Sequence, residues 1–282
     1  MKIGIIGNGF VGKATRQIEC KDIEIVSYDI NPEFCQPKGT KLECLKDCEI
    51  IFISVPTPMN KDGSCYLNIL ESVVQDLYNI NYKGIRVIRS TIPPGTSDNL
   101  DCYFMPEFLT EKNFINDFIN NKNWIFGLLD VSEEKNKKFK ETIKKLFTIA
   151  HDNKKILFNN ITFVTNKEAE MIKLFRNCFL ATKIAFCNEI YDFCEAKKIN
   201  YDNVRKIATE DTRIGSSHTM VPGHDGKRGF GGTCFPKDIS SLKHEFEKLD
   251  IEPNVINAVI ERNETKDRKE KDWNNNKGRS VV

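Results

Sequence analysis

The chain has 282 residues, with 42 Lys and Arg against 40 Asp and Glu for a net charge of +2. That length suits one large domain and a smaller one, and the balanced charge gives no electrostatic reason for a nucleic acid or membrane partner. The first residues, Met1 to Gly7, run straight into a strand pattern, and no apolar run approaches a membrane span, so a cytoplasmic protein is expected. The ten cysteines are dispersed without a Cys-x-x-Cys pair and read as reduced thiols. His151, His218, His224 and His244 do not sit at ligand spacings with them, so no metal is expected.

Short runs rich in Ile, Val and Phe recur at 2–6, 24–28, 49–55, 85–90, 102–104 and 124–129, separated by segments of helical spacing. Strands alternating with helices predict an α/β, Rossmann-type doubly wound parallel sheet. The domain is expected over residues 1–164, with 156–164 as its last apolar stretch. From Asn166 to Lys198 the pattern changes, with Ile172, Phe175, Phe179, Phe186, Ile190 and Phe193 at helical intervals and no Pro or Gly. A helix that long must pack on more than one partner. The reading is an all-α second domain over 165–265 that also forms a dimer interface, although the apolar stripe could serve only the chain's own core. Shorter helices are expected from Asp202, Pro236 and Pro253. The tail, 266–282, is charged and Asn-rich and is expected to fray.

Gly7, Gly9 and Gly12 follow the first strand and open a helix through Phe10 and Val11, the context in which a G-x-G-x-x-G pattern binds a dinucleotide. Asp29 ends the second strand, where a carboxylate accepts from ribose hydroxyls and repels a 2′-phosphate, which favours NAD over NADP. Val55-Pro-Thr-Pro58 and Ser90-Thr-Ile-Pro-Pro-Gly95 leave later strands at the edge where such sheets bind ligands, aiming Thr57 and Thr91; plain turn chemistry is the alternative. Gly229-Phe-Gly-Gly-Thr-Cys-Phe-Pro-Lys-Asp238 places Cys234 in a glycine-lined loop just before a helix start, with Lys237 beside it. Both the helix dipole and the ammonium favour thiolate. A buried, inert cysteine is the bland alternative, and Asp238 could simply cap the helix. A nucleophilic cysteine together with a hydride acceptor points to oxidation through a covalent thioester.

With these pieces in order, the chain resembles the UDP-glucose/GDP-mannose dehydrogenase family. The resemblance rests on Gly7 to Gly12, Val55 to Pro58 with Asp62-Gly63, Ser90 to Thr96, Pro106-Glu-Phe-Leu109 with Glu111, Glu170-x-x-Lys173-x-x-x-Asn177, Asn188-Glu189, Arg213-Ile-Gly215 and Gly229 to Asp238. It implies NAD-dependent, four-electron oxidation of the C6 alcohol of a nucleotide sugar through a Cys234 thiohemiacetal and thioester. UDP-glucose is the first candidate, with UDP-N-acetylhexosamine or GDP-mannose as alternatives. It further implies that Lys173 and Asn177 stabilise an oxyanion, Asp238 moves a proton, Glu111 activates water with Thr91 and Glu107 nearby, and Thr57, Thr91 and Lys237 join the cofactor site. Glu107, Phe108, Leu109, Phe230 and Gly231 would contact the substrate, and Arg213 would reach the sugar site of the other subunit of a homodimer. The loop after Arg213, with His218, His224, Lys227 and Arg228, could hold a diphosphate or be a solvated basic loop. The resemblance ends near residue 265, where the family's third domain would begin, so the expectation is either a compact short form that binds the nucleotide with the basic loop and the dimer partner, or a truncation. Met105 and Tyr66 depart from the family pattern. A single-step dehydrogenase and a catalytically silent NAD-binding protein remain rival readings.

Overall fold

The computed structural model describes residues 1–130 and 133–282. In chain order it contains β1 (Lys2–Ile6), α1 (Phe10–Thr15), β2 (Glu24–Tyr28), β3 (Ile50–Ile53), α2 (Asn68–Asn79), β4 (Ile85–Ile88), α3 (Thr96–Asn99), β5 (Tyr103–Phe104), α4 (Phe114–Ile119), β6 (Trp124–Leu128), α5 (Glu133–Asp152), β7 (Ile161–Thr165), α6 (Asn166–Lys197), α7 (Tyr201–Ala208), α8 (Phe235–Glu247) and α9 (Asn254–Arg262). The chain divides into two compact units, Met1–Thr57 with Leu67–Lys173, and Pro58–Tyr66 with Leu174–Val282. Among the described residues no helix is long and apolar enough to cross a membrane.

The first unit is a seven-stranded sheet in the order β2-β1-β3-β4-β5-β6-β7. All neighbours pair in parallel except β5 with β6. Successive side chains of a strand face opposite sides, and here both sides are covered. Ile50 and Phe52 of β3 join a core with Ala14, Phe118, Phe139, Ile143 and Phe147, from α1, α4 and α5. Ile51 and Ile53 join Leu70, Val74 and Leu77 of α2 and Ala169 of α6 on the other face. This double burial is why the strands read as unbroken apolar runs. β1 lies between β2 and β3, so the chain reverses its direction of travel across the sheet there, with the loops after β1 and β3 at the point where such folds bind ligands. The last strand is shorter than the apolar stretch that announced it: Ile156 enters the core as part of the connection, and β7 begins at Ile161.

The second unit is helical apart from isolated bridges. In α6, Phe175, Phe179, Phe186 and Phe193 are 58–64% exposed, so these rings lie outside the chain's own core, whereas Ile190 of the same stripe packs on Cys187, Cys194 and Tyr201. The tail does not fray. Trp273 and Ser280 are buried, Arg268 is only 1% exposed, and Val282 donates its N–H to the Met59 carbonyl at 3.1 Å. The reason is ionic as well as apolar: Arg268 donates to Asp225 at 2.6 Å and to Asp272 at 3.0 Å, which anchors a segment whose composition alone suggested solvent.

Within the first unit, Glu170 joins the start of α6 to the loop before α3. Its two oxygens accept from the N–H groups of Gly95 at 2.5 Å and Ser97 at 2.8 Å. Burial nevertheless pushes this carboxyl up to about 7, against those two donors, with Asp98 adding to the rise. The folded protein therefore keeps a proton that the unfolded chain releases above its ordinary value of 4.5. The resulting stabilisation is complete below that value and is lost as pH rises through about 7. We expect Glu170→Gln to remove a loss on the order of 3 kcal/mol between pH 4.5 and 7, read from urea unfolding at a series of pH values. Parallel stability profiles for the two proteins would contradict the assignment.

Candidate functional site

The glycine loop after β1 is shaped by close approach. Gly7 has φ +84°, and a Cβ there would lie 2.6 Å from the Ser54 carbonyl oxygen at the end of β3. A Cβ at Gly12 would strike the Gly7 carbonyl oxygen, so helix and strand pack only with glycine there. Gly9 is exposed and has open space where its side chain would be, the requirement for a phosphate to approach the backbone. Asp29 accepts from Asn8 N–H at 2.7 Å through one oxygen and from Asn31 N–H at 2.9 Å through the other, which fixes the carboxylate beside the loop. Phe10 and Val11 are half-buried, Phe10 with its ring edge toward Phe114. Thr57 donates to the Thr91 carbonyl at 2.7 Å and Ser90 to the Val55 carbonyl at 2.6 Å, so the two proline loops are tied to each other. These features fit a dinucleotide held by Gly7, Gly9, Gly12 and Asp29.

Also in the first unit, Lys173 and Glu107 form an ion pair at 2.6 Å, with side chains only 4% and 5% exposed. Burial would push Glu107 up, but Lys173, the Leu109 N–H at 2.8 Å and the charge of Arg89 outweigh it and hold the carboxyl below its ordinary value. Arg89 is wholly buried; burial lowers it to about 10 while Glu107 opposes the fall, so it stays charged at neutral pH. Its guanidinium donates to Thr15 of α1 and lies over the Phe118 ring at 5.6 Å. Lys173 Nζ also lies 5.9 Å over the Phe108 ring, Leu109 packs on the core, and Glu111 is exposed.

In the second unit, Cys234 is half-buried at the N-cap of α8, with the Thr233 hydroxyl 3.7 Å from its sulfur. Lys237 Nζ donates to Asp238 Oδ1 at 2.6 Å and Asn177 Nδ2 to Asp238 Oδ2 at 2.6 Å, so both carboxylate oxygens are committed. Burial pulls the Lys237 ammonium down, but Asp238, Cys234 and Cys65 around it hold it above its ordinary value. An ammonium between two thiols and a carboxylate suits thiolate chemistry. Gly231 lines the same loop, while Phe230 is 3% exposed and packs edge-on to Phe235. Arg213 is 87% exposed and paired with Asp211 at 2.6 Å.

The basic loop is not a cluster of open donors. Arg228 is held by Asp192 at 2.7 Å and Asp267 at 2.9 Å, and Lys227 by Glu270 at 2.9 Å. Sequence reasoning passed over Arg89, Asp267, Arg268 and Asn263. An arginine directly after the apolar strand β4 was the signal for the first; Asp267 and Arg268 lay in a segment read as polar surface, and Asn263 in an expected helix.

Residues 167–265 match the family model of the UDP-glucose/GDP-mannose dehydrogenase family, central domain, and residues 38–151 that family's NAD binding domain. The chain belongs to the UDP-glucose/GDP-mannose dehydrogenase family. Its cofactor is NAD, for which the first unit supplies the binding domain. Among similar proteins, the UDP-glucose 6-dehydrogenase of Rickettsia bellii is 34% identical over 233 residues, 78% of this chain and 50% of that one. That of Pseudomonas aeruginosa is 30% identical over 239 residues, 78% of this chain and 49% of the relative. The chain thus spans about half the length of the curated relatives it matches. A UDP-glucose dehydrogenase structure from Pyrobaculum islandicum superposes with TM-score 0.79 at 24% identity, covering 93% of this chain and 68% of that one. This establishes a shared fold. A GDP-mannose dehydrogenase from Pseudomonas aeruginosa, in a ternary complex, gives TM-score 0.66 at 24% identity, covering 92% of this chain and 67% of the other.

The family member's buried triad generates an asymmetric expectation. Removing Glu107 strands two buried cations, whereas removing Lys173 leaves Glu107 with Arg89 and the Leu109 N–H. Glu107→Gln should cost about 3–5 kcal/mol and Lys173→Met distinctly less, with the double variant more stable than Glu107→Gln alone. Urea unfolding of the three variants checks this, and equal, additive costs would refute it.

Proposed function

We propose that the chain acts as an NAD-dependent nucleotide-sugar 6-dehydrogenase that oxidises a C6 primary alcohol to the carboxylate in two two-electron steps. The carrying observation is a half-buried cysteine at the start of α8, with Lys237, Asp238 and Asn177 linked through 2.6 Å hydrogen bonds. The names of the relatives favour UDP-glucose as substrate and UDP-glucuronate as product.

When bound, NAD accepts a hydride from the sugar carbon, one molecule per two-electron step. The residues do the rest. Cys234 Sγ adds to the carbonyl carbon of the aldehyde, a C–S bond forms, and the carbonyl oxygen takes a proton. Oxidation of that thiohemiacetal leaves a thioester; water adds at the acyl carbon, the C–S bond breaks, and the thiolate departs with the acid released. Lys173 and Asn177, four residues apart on α6, stabilise the oxyanion. Asp238, held between Lys237 and Asn177, exchanges the proton. Exposed Glu111 activates the water, with Thr91 and Glu107 as its companions, and Phe108, Leu109, Phe230 and Gly231 shape the sugar site.

The exposed phenylalanine stripe of α6 supports a homodimer. In it, Arg213 reaches the other subunit's sugar; its present partner, Asp211, is a weak surface pair that a diphosphate could replace.

A screen of NADH release across UDP- and GDP-sugars should find two NADH per substrate consumed; one NADH with a stable carbonyl product would defeat the reading. Cys234→Ser should form no acid while binding NAD normally, and normal turnover in that variant contradicts the thioester. Mixing Arg213→Ala with Cys234→Ala protein should restore part of the activity lost in each, because heterodimers hold one intact site; no recovery argues for self-contained subunits.

A further inference from the structure

The loop that carries Cys234 is glycine-rich, and such loops sample many conformations unless something holds them. Here the holding groups come from distant parts of the second unit. Asn263 is 2% exposed, and its side chain accepts from Phe230 N–H at 2.9 Å while donating to the Phe230 carbonyl at 2.9 Å. An amide that binds both polar groups of one residue does what a neighbouring strand would do, and it leaves that peptide one orientation. Asn188 of α6, 1% exposed, accepts from Gly229 N–H at 3.3 Å and from Arg228 Nε at 3.2 Å. Arg268 donates to the Arg228 carbonyl at 2.9 Å. Gly229 has φ +64°, and a Cβ there would run into Asn263 Oδ1 and lie 2.9 Å from Asp267 Cβ, so the contact itself demands glycine. Asn263 also opens a π-helical turn, Asn263–Asp267, in which Arg268 N–H reaches the Asn263 carbonyl at 2.7 Å. Such widened turns are rare, and those that occur are frequently at functional sites. This one also brings Asp267 to Arg228 at 2.9 Å.

We propose that Asn263, seconded by Asn188, is the positioning residue of the cysteine loop: it fixes Phe230 so that Cys234 is presented at the start of α8 in a single orientation for attack on the substrate carbonyl. The inference rests on the reading of Cys234 as nucleophile, but its test does not need turnover. The probe is iodoacetamide, with alkylation at Cys234 followed by peptide mass spectrometry as a function of pH, on the full chain with NAD present. In Asn263→Asp, which keeps the acceptor and loses the donor, and in Asn263→Ala, the midpoint of the alkylation profile should rise by about half a unit or more as the thiol leaves the helix terminus. Where a nucleotide-sugar substrate is found, kcat should fall by about tenfold to a hundredfold with KM for NAD unchanged. Asn188→Ala should show the same shifts more weakly. In the unaltered protein the Phe230 amide should exchange with deuterium as slowly as the interior of α8, a measurement that needs no variant. An alkylation profile that superposes on that of the unaltered protein while Tm falls, or a Phe230 amide that exchanges like an open loop, overturns the proposal. Inactivity of the unaltered protein toward every nucleotide sugar, with the alkylation and exchange results as expected, would defeat the dehydrogenase reading and leave the clamp standing.

Discussion

A lysine ammonium and a glutamate carboxylate, both nearly cut off from water and 2.6 Å apart, set the terms for the first unit. Removing two charges from water costs several kcal/mol each, so the pair persists only where further hydrogen bonds complete it. The Leu109 N–H supplies such a bond, the charge of buried Arg89 adds to the attraction on Glu107, and Arg89 in turn binds Thr15 on the helix that follows the glycine loop. The consequence is mechanical. Lys173 and the loop that bears Glu107 cannot shift independently, because displacement would strip each buried charge of its partner, and the dinucleotide helix is tied to the same neighbourhood through the Arg89–Thr15 hydrogen bond. A pair retained at such cost is weak evidence for stability and better evidence for a residue that must be charged and fixed in place.

The second unit holds its cysteine by different means. There the carboxylate of Asp238 is divided between an ammonium and an amide, and Phe230 and Gly229 of the loop before it are gripped by amide side chains. The contrast has a physical reason. Extra full charges beside a thiol would perturb its ionisation, whereas neutral amides restrain the backbone and leave the electrostatics to Lys237 and the end of α8. The acids and bases of the neighbourhood are gathered one step further back, Arg228 with Asp192 and Asp267, and Arg268 with Asp225 and Asp272; Arg268 also braces the loop through the Arg228 carbonyl.

Much of this was legible in the chain. β1, β3 and β6 announced themselves because strands covered on both faces carry near-continuous apolar runs, and α6 because it lacks Pro and Gly over nine turns of apolar repeat. The glycine loop and the cysteine loop were legible because their chemistry restricts residue type at fixed spacing. The tail was misread. Its charges look like a solvated segment, and only the fold reveals that Arg268 finds Asp225 and Asp272 inside. For the basic loop the chain left a diphosphate site and a solvated loop both open: composition reports that Lys227 and Arg228 are cationic, not that acids 39 and 43 residues away engage them. Asn263 carried no local signal, because an asparagine in a helix reads as surface unless its partner, Phe230, is known.

The phenylalanine stripe of α6 shows what area can and cannot decide. A phenylalanine carries about 150–250 Å² of surface, so four of them at roughly 60% exposure leave about 400–600 Å² in water. At about 25 cal/mol per Å², covering one such stripe would contribute on the order of 10 kcal/mol, and pairing two copies up to twice that as an upper bound. The loss of translational and rotational freedom on association takes about 4–15 kcal/mol of it, before any side chain is ordered. Burial of that area would therefore offset much of the cost of association in the homodimer proposed above, but the stripe is too narrow to fix the register of two copies by itself. Stacked Phe175 and Phe179, parallel within 3° and 6.1 Å apart, supply a rigid apolar ledge without directional polarity. Register in the proposed homodimer must come from polar groups, and Arg213, 87% exposed and paired with Asp211, is of that chemical kind.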